Sequence, residues 1–417
     1  MSHTVTHPTS LRDLPVSPIL DESGHSRPLA ETWAWVRPKL RSVPITRIIN
    51  VTPIGMLGLP VWSAVTPLAK DLTVHAGKGG SPVAARLSAV MEAIERVCAE
   101  EIEPWRVIRG SYRSLAAREG IEVADPAAFS LPFETTYTPD RDISWIAGID
   151  LFTGREVLVA LDLVLSPPSE GVCIGVETNG LASGNDLSEA IVHALFELIE
   201  RDALSAAEFR RLMLDSSDRA WRRAVGIDPS TLPSECLGWV ARIYAIGATV
   251  GIEEITTNPA LPVFRVSLHD PNFLGAADEI CVEGYGADLS RRRAIFRGLT
   301  EAVQGHTLLT LGSRDTFEGL EPLPDRQGWL LNKLDERFPS MLVPFACESA
   351  PMPATQRETL STTLAALAHQ GLERCIAVDL TKAELDVPVV RVLAPGLSSP
   401  FGASMRRPTK SLLEQLV

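Results

Sequence analysis

SAVMEAIER, residues 88–96, and HALFELIER, residues 193–201, are one nine-residue pattern written twice, 105 positions apart. Ser88, Glu92, Glu95 and Arg96 of the first copy correspond to His193, Glu197, Glu200 and Arg201 of the second. A third stretch, RGLTEAVQ, repeats the pattern loosely through Arg297, Glu301 and Gln304. In a helix, residues three, four and seven apart share a face, so the polar groups of each segment form one stripe on an otherwise apolar rod. A buried ionised carboxylate without a partner is very costly. Two like charges about 4 Å apart repel by roughly 1 kcal/mol in water and about 4 kcal/mol at an effective dielectric near 20. Four clustered glutamates therefore oppose folding unless cations bind among them, which points to divalent metal. A single such segment reads as an amphipathic surface helix with its Arg bridged to Glu. Two copies and a variant, all in apolar surroundings, point to a shared polar site.

The 417 residues can bury one large core or two ordinary ones, and 45% apolar content with a mean hydropathy of +0.10 is that of a well-packed protein. No run of eighteen apolar residues occurs, and MSHTVTHPTSLRDLP has neither a basic start nor an apolar stretch. Signal peptide and membrane span are therefore not expected, and the chain reads as cytosolic. The six cysteines are scattered with no CxxC pair, which argues for buried free thiols rather than a zinc ribbon or redox motif. A net charge of −13 disfavours nucleic acid as a partner, because phosphates need a basic face. An anionic ligand would need a local cationic patch or metal ions.

Residues 1–28 mix polar, proline and charged types without periodicity, which predicts a flexible amino-terminal arm ahead of one domain over 29–417. Strands are predicted in ITRIINVT, in the stretch PIGMLGLPVWSAV and at LTVHAG. Ser81 caps a first helix that runs to about Glu100, with Pro82 in its first turn. ISWIAGID and EVLVALDLV form a hairpin across LFTGR. Asp186 starts a second helix over about 187–210, with Glu189 completing a capping box. Helices at 231–247, 289–309 and 354–371, with strands TVGIEEITT, LPVFRVSLH, CIAVDLT and VPVVRVLAP, complete an α+β domain whose helices pack on mostly antiparallel sheet. No linker divides it, and 312–350 reads as irregular.

The glycines of GKGGS, residues 77–81, lead into the helix that carries Glu92 and Glu95, where free backbone NH groups suit an anion. The lysine spacing is not that of a Walker A loop, and a simple turn remains the plain alternative. TNGLASGND likewise sets small residues and Asn185 before the second acidic helix, so that Asn185 and Glu189 reach a ligand or merely cap. His75, His193 and His306 lack HExxH-type spacing and read as structural histidines. GxSxG is absent and no cysteine has an evident histidine partner, so covalent hydrolysis is unsupported. Arg291 to Arg293 read as a solvated helix start, whereas Arg297 shares a stripe with Glu301.

Together these segments resemble the YcaO family, whose hallmarks are SxxxExxER, then a motif close to SNGxAxGxxxxEAxxxxxxExxERD, then RAxxExxQxR. Here they stand as SAVMEAIER, TNGLASGNDLSEAIVHALFELIERD and RGLTEAVQGH, within a likeness over about residues 40–400. Thr178, Gly298 and His306 depart from the usual serine, alanine and arginine. The resemblance implies an ATP site without a P-loop, with Glu92, Glu95, Glu197 and Glu200 holding Mg2+. Ser88, Asn185, Glu189, Arg201, Arg297 and Glu301 would contact nucleotide or order those ligands, with Arg201 and Arg297 stabilising phosphate charge. Oxygen ligands suit magnesium.

The implied chemistry is ATP-dependent activation of a peptide backbone amide, whose resonance makes the carbonyl carbon a poor electrophile. A nucleophile adds, and the amide oxygen leaves on the γ-phosphoryl group. A neighbouring Cys, Ser or Thr gives an azoline; external sulfide gives a thioamide. The segment ITRIINVTPIGMLGLPVWSAVTPLAKDLTVHAGKGGS resembles members that work with a TfuA partner, and PTKSLLEQLV lacks a PxPxP ending. Both incline the reading to thioamide formation on a ribosomally made peptide or protein, with a TfuA-like partner, and the family resemblance implies a homodimer. An azoline-forming cyclodehydratase, and a non-catalytic nucleotide-binding accessory protein, are the alternatives.

Overall fold

A computed structural model describes residues 14–20, 23–174, 177–213, 225–272, 281–312, 337–339, 341–348, 351–399 and 406–414. Its helices are α1 (Leu29–Val36), α2 (Pro82–Ala99), α3 (Tyr112–Ala116), α4 (Leu187–Met213), α5 (Ser234–Ala245), α6 (Arg291–Leu311), α7 (Gln356–His369) and α8 (Lys410–Glu414). Three sheets carry them. The first is the antiparallel meander β1 (Arg47–Asn50), β2 (Val61–Val65) and β3 (Val74–Lys78). A second set contributes β4 (Val107–Gly110), β5 (Ile143–Asp150), β6 (Glu156–Ala160) and β7 (Leu181–Ser183). The remaining strands are β8 (Val225–Ile227), β9 (Thr249–Glu254), β10 (Val263–His269), β11 (Cys281–Ala287), β12 (Met341–Val343), β13 (Ile376–Asp379) and β14 (Val389–Leu393). Their orders are β4-β5-β13-β14-β7, with β6 also on β5, and β11-β10-β9-β8-β12. Every pairing is antiparallel except β8 with β12, so the α+β expectation holds.

Each acidic helix lies on a sheet through its apolar face. In α2, Ser81 caps the start by accepting from Ala84 N–H, Pro82 fills the first position, and Leu87, Val90, Ile94 and Val97 are buried. Full burial of such a side chain contributes about 1.5–3 kcal/mol. The helix approaches β3 very closely because Gly77 has no Cβ, and one placed there would stand 2.0 Å from the Ala85 carbonyl oxygen. Gly284 and Gly286 of β11 do the same for α6, where an added Cβ would meet the backbone of Gly298 and Ala294 at 2.2 and 2.1 Å. Glycine is required at these positions for packing. The long helix α4 lies between β14 and β7 on one side and α7 on another, burying Ile191, Leu195, Ile199 and Leu204.

Three expectations change. Of the arm expected over 1–28, residues 1–13, 21 and 22 lie outside the described residues, but the rest is bound to the body. Ile19 N–H donates to Ala354 O, Gln356 N–H donates to Ser17 O, and Ser26 reaches Glu189, so 14–20 and 23–28 are not loose. The Asp186 carboxylate does accept from Glu189 N–H at 3.0 Å, yet the Glu189 side chain turns to Asn185 and Ser26 and closes no capping box. Arg291, Arg292 and Arg293 are not simply solvated, since each pairs with an acid, Glu254, Glu235 and Asp288 respectively. Much of 312–350 falls outside the described residues. Cys347 is exposed and the other five free thiols are buried. No helix among the described residues is long and apolar enough to cross a membrane.

Candidate active site

A cavity of about 1020 Å3 opens where α2, α4 and α6 meet, floored by β3 and β7. Ser88, Glu92, Glu95, Asn185, Glu189, Glu197, Glu200, Arg201, Arg297 and Glu301, the residues expected from the sequence, all line it, with His193 and Gln304. A smaller cavity of about 240 Å3 beneath Trp105 holds none of them. The helical period explains the convergence. Glu92 and Glu95 sit three apart on α2, and Glu197, Glu200 and Arg201 sit three and four apart on α4, so each group shares a face turned inward.

The backbone holds the carboxylates in place. Glu95 accepts from the Ser183 N–H at 2.8 Å and from its Oγ at 2.7 Å, which ties α2 to β7. Glu92 accepts from Ala76 N–H at 3.2 Å. Burial pushes Glu95 up to about 8 despite the Ser183 bonds, with Glu92 and Glu197 adding repulsion. Burial likewise raises Glu197 to about 7 even though Arg201 offsets it, and raises Glu200. Three acids held proton-rich by their surroundings make a site in want of positive charge.

Cations line the same cavity, Arg201 beside the acids on α4 and Lys78 on β3. Arg201 lies 3.2 Å from Glu200 and 4.0 Å from Glu301, and Lys78 pairs with Glu301. Burial alone would raise Glu301, but Lys78 and Arg201 outweigh it and hold this carboxyl low. The same carboxylates raise the Arg201 guanidinium against its own burial. Behind α2, Arg96 donates to Asp71 at 2.7 Å and Asp71 accepts from Ser166 Oγ at 2.7 Å.

The rim of the cavity holds a second cluster. Asn185 Nδ2 donates to both Glu189 oxygens at 3.0 and 3.1 Å, and Thr32 Oγ1 donates to Asn185 Oδ1 at 2.8 Å. His25 Nδ1 stands 3.0 Å from Glu189, while Ser26 donates through N–H at 2.8 Å and Oγ at 2.6 Å. Burial works to raise Glu189, but these bonds prevail and hold it down at about 2. His193 is driven down to about 3 by burial and by Arg297, so it stays a neutral wall of the cavity. His75 pairs with Thr66 and His306 with Asp270 inside the protein, in the structural roles expected.

The donor set suits a hard divalent ion, since it consists of four carboxylates gathered on one cavity, three of them raised by burial. Among the described residues no three His, Cys, Asp or Glu are gathered closely enough to form a cage by themselves. Magnesium does not ask for one, because it is commonly held by one or two carboxylates together with phosphates and water. The residues present therefore fit magnesium carried on a phosphate ligand, and the cavity is large enough for a nucleotide.

Four contributors are not assigned by the sequence. Lys78 reads there only as part of a glycine-rich turn, although a lone lysine at the start of an acidic helix is a usable signal. Ser183 carries no pattern that distinguishes it, and His25 and Ser26 sit in a stretch without periodicity. The three motif departures are accommodated. Thr178 lines the cavity, a Cβ on Gly298 would stand 3.1 Å from Val266 Cγ2, and His306 is buried against Asp270.

Fold and site define an α+β protein whose acidic helices line one cavity, in a sequence without a P-loop. Residues 76–398 match the family model of the ATP- and Mg2+-binding YcaO cyclodehydratases, and the chain belongs to the YcaO family. ATP and Mg2+ are its cofactors. An uncharacterized protein of Methanothermobacter thermautotrophicus is 31% identical over 385 residues, covering 88% of this chain and 93% of its own. An uncharacterized protein in the tfuA 3′ region of Rhizobium leguminosarum bv. trifolii is 31% identical over 386 residues, 88% of this chain and 87% of its own. Among solved structures, YcaO from Methanopyrus kandleri bound with AMPPCP and Mg2+ superposes with a TM-score of 0.73 at 24% identity, covering 94% and 99% of the two chains. A heterocyclase in complex with substrate and cofactor gives 0.72 at 20%, covering 94% of this chain and 55% of its own.

Proposed function

We propose that this protein uses ATP and Mg2+ to activate a backbone amide of a peptide or protein, and that the product is a thioamide formed with sulfide and a TfuA-like partner. The observation that carries the first half is the inward convergence of Glu92, Glu95, Glu197 and Glu200 on one cavity with Lys78, Arg201 and Arg297. The second half draws support from the resemblance of residues 45–81 to partners of TfuA, and from the Rhizobium relative encoded beside tfuA.

Roles for the residues follow from their chemistry. Glu92, Glu95, Glu197 and Glu200 would hold magnesium through carboxylate oxygens, with Ser183 and Ala76 fixing two of them. Bound ATP with Mg2+ supplies the phosphoryl group that takes up the amide oxygen and leaves with it as phosphate. Arg201 and Arg297 would carry positive charge to the transferring group, where fixed cations matter more than in water. Ser88, Asn185 and Glu189 would orient the nucleotide, and Glu301 would order Lys78 and Arg201 by pairing with both. The chain's contribution is thus placement and charge, with no covalent nucleophile of its own.

Azoline formation is the second reading, favoured by the cyclodehydratase description of the family. Mass spectrometry of a candidate peptide incubated with the protein, ATP, Mg2+ and sulfide, with and without a TfuA-like protein, separates the two. Replacement of one oxygen by sulfur, dependent on sulfide, supports the thioamide; loss of one water without sulfide supports the azoline. Nucleotide binding with neither phosphate release nor any peptide change would leave only a nucleotide-binding accessory role. A homodimeric, cytoplasmic enzyme completes the proposal.

A further inference from the structure

The first sheet ends in an open strand. Val51 N–H donates to Val61 O at 3.1 Å, and on the other side of β2 Thr66 N–H donates to Thr73 O at 2.8 Å. These bonds set the antiparallel alternation. Arg47 and Ile49 of β1 turn their backbone groups to Val65 and Ser63 of β2, and Ile48 and Asn50 turn theirs away from the sheet. Within the described residues β1 pairs with β2 alone. Arg47 and Asn50 are exposed, and Ile48 and Ile49 are half-buried. A strand edge of this kind offers NH and C=O groups to an incoming extended chain.

The charge around this edge runs against that of the molecule. Residues 24–70 contain six Lys and Arg, Arg27, Arg37, Lys39, Arg41, Arg47 and Lys70, against the single acid Glu31, in a chain whose net charge is −13. Lys39 is engaged by Asp386 and Lys70 by Glu101. Arg37 and Arg41, in the turn that leads into β1, and Arg47 on the strand are exposed and have no acidic partner among the described residues. Three unpaired guanidiniums beside unpaired backbone groups complement an extended chain with carboxylates on one face. The same sheet leads to the site, since β3 carries Ala76 and Lys78 into the cavity. A strand added to β1 would lie three spacings from β3, roughly 14 Å, a gap that about five extended residues span.

We infer that the open edge of β1 binds an acidic, extended segment of the peptide substrate as a fourth strand, with Arg37, Arg41 and Arg47 reading its carboxylates. This rests on the peptide-modifying reading of the same chain and names how that substrate is held. Backbone pairing would supply sequence-tolerant affinity, and the arginines would select acidic sequences and speed encounter.

The test uses two fluorescein-labelled ten-residue peptides on the full-length protein, one alternating Glu with Val and Thr, the other with Lys in place of Glu. Fluorescence anisotropy should show binding of the acidic peptide that weakens with salt, and none of the basic one. The R41E/R47E double variant should bind the acidic peptide about tenfold more weakly, because two exposed charge contacts become repulsive. Hydrogen exchange at residues 47–50 should slow when the acidic peptide is present. Equal binding of both peptides, unchanged affinity in R41E/R47E, or no added protection at 47–50 would each overturn the inference. AMPPCP binding with Mg2+, measured on the same proteins, should be equal in wild type and variant. Absence of nucleotide binding in the wild type would instead defeat the functional reading, so the two failures are distinguishable.

Discussion

Glu95→Gln should make the metal-free, nucleotide-free protein more stable while destroying its activity. The half-buried Glu95 carboxyl lines the cavity and sits at about 8, above its ordinary 4.5, mainly through burial. Below about pH 4.5 the group is neutral in both folded and unfolded chains and costs nothing. Between 4.5 and about 8 the unfolded chain has lost a proton that the folded chain keeps, so stability falls as pH rises, by roughly 1.4 kcal/mol per unit. At pH 7 the accumulated cost is on the order of 3 kcal/mol. Glutamine is neutral, and its carbonyl oxygen can still accept both Ser183 bonds. With an unfolding entropy of about 2.1 cal/mol/K per residue, 417 residues give roughly 0.9 kcal/mol/K, so the gain corresponds to about 3 °C in Tm. Calorimetry of chelator-treated protein from pH 5 to 8 is the assay. The variant should melt higher at pH 7 and show a shallower decline with pH, while peptide-dependent phosphate release disappears. A variant that melts lower than wild type at pH 7, or that keeps the wild-type pH slope, would refute the argument that Glu95 is a buried charge held for a cation.

Other outcomes follow from the same geometry. Glu197→Ala should abolish phosphate release with saturating peptide while circular dichroism and gel filtration stay those of wild type; full turnover would remove Glu197 from the ligand set. Lys78→Met leaves Glu301 with Arg201 and Arg297, and with side chains about one-quarter exposed the loss should be about 1–2 kcal/mol in urea unfolding, together with a raised KM for ATP. The bonds from His25 and Ser26 depress Glu189 to about 2, so their stabilisation is present above pH 4.5 and fades as pH falls toward 2. H25A/S26A should therefore melt lower than wild type at pH 6 and approach it at pH 2.5, and an equal deficit at both values would contradict this. Saturating Mg2+ with AMPPCP should raise Tm, and replacing any of Glu92, Glu95, Glu197 or Glu200 by Ala should shift that rise to higher ligand concentration; an unchanged concentration dependence would count against the proposed ligand set.

Much of the site is legible in the sequence because helices translate spacing into direction. Glu92 with Glu95, and Glu197 with Glu200, fall on common faces by their three-residue spacing alone, and all ten residues expected at the site do line one cavity. The capped start of α2 is equally legible, since Ser81 carries a local hydrogen-bonding signal. What escapes is tertiary. CVEGYGA of β11 is too glycine-rich to read as a strand, and its glycines are there to admit α6. The segment 23–28 has no periodicity, and its order comes from Glu189, more than 160 residues away. The roles of Lys78 and Ser183 likewise come from partners brought near only by folding.

The position of the bound nucleotide and its metal decides whether the four glutamates act as proposed. A crystal structure of the protein grown with AMPPCP and Mg2+ should show magnesium within about 2.1 Å of oxygens from at least two of Glu92, Glu95, Glu197 and Glu200, with phosphate oxygens completing the shell. Nucleotide bound elsewhere, for example beneath Trp105, with these four carboxylates still turned to Ser183, Ala76 and Arg201, would contradict it.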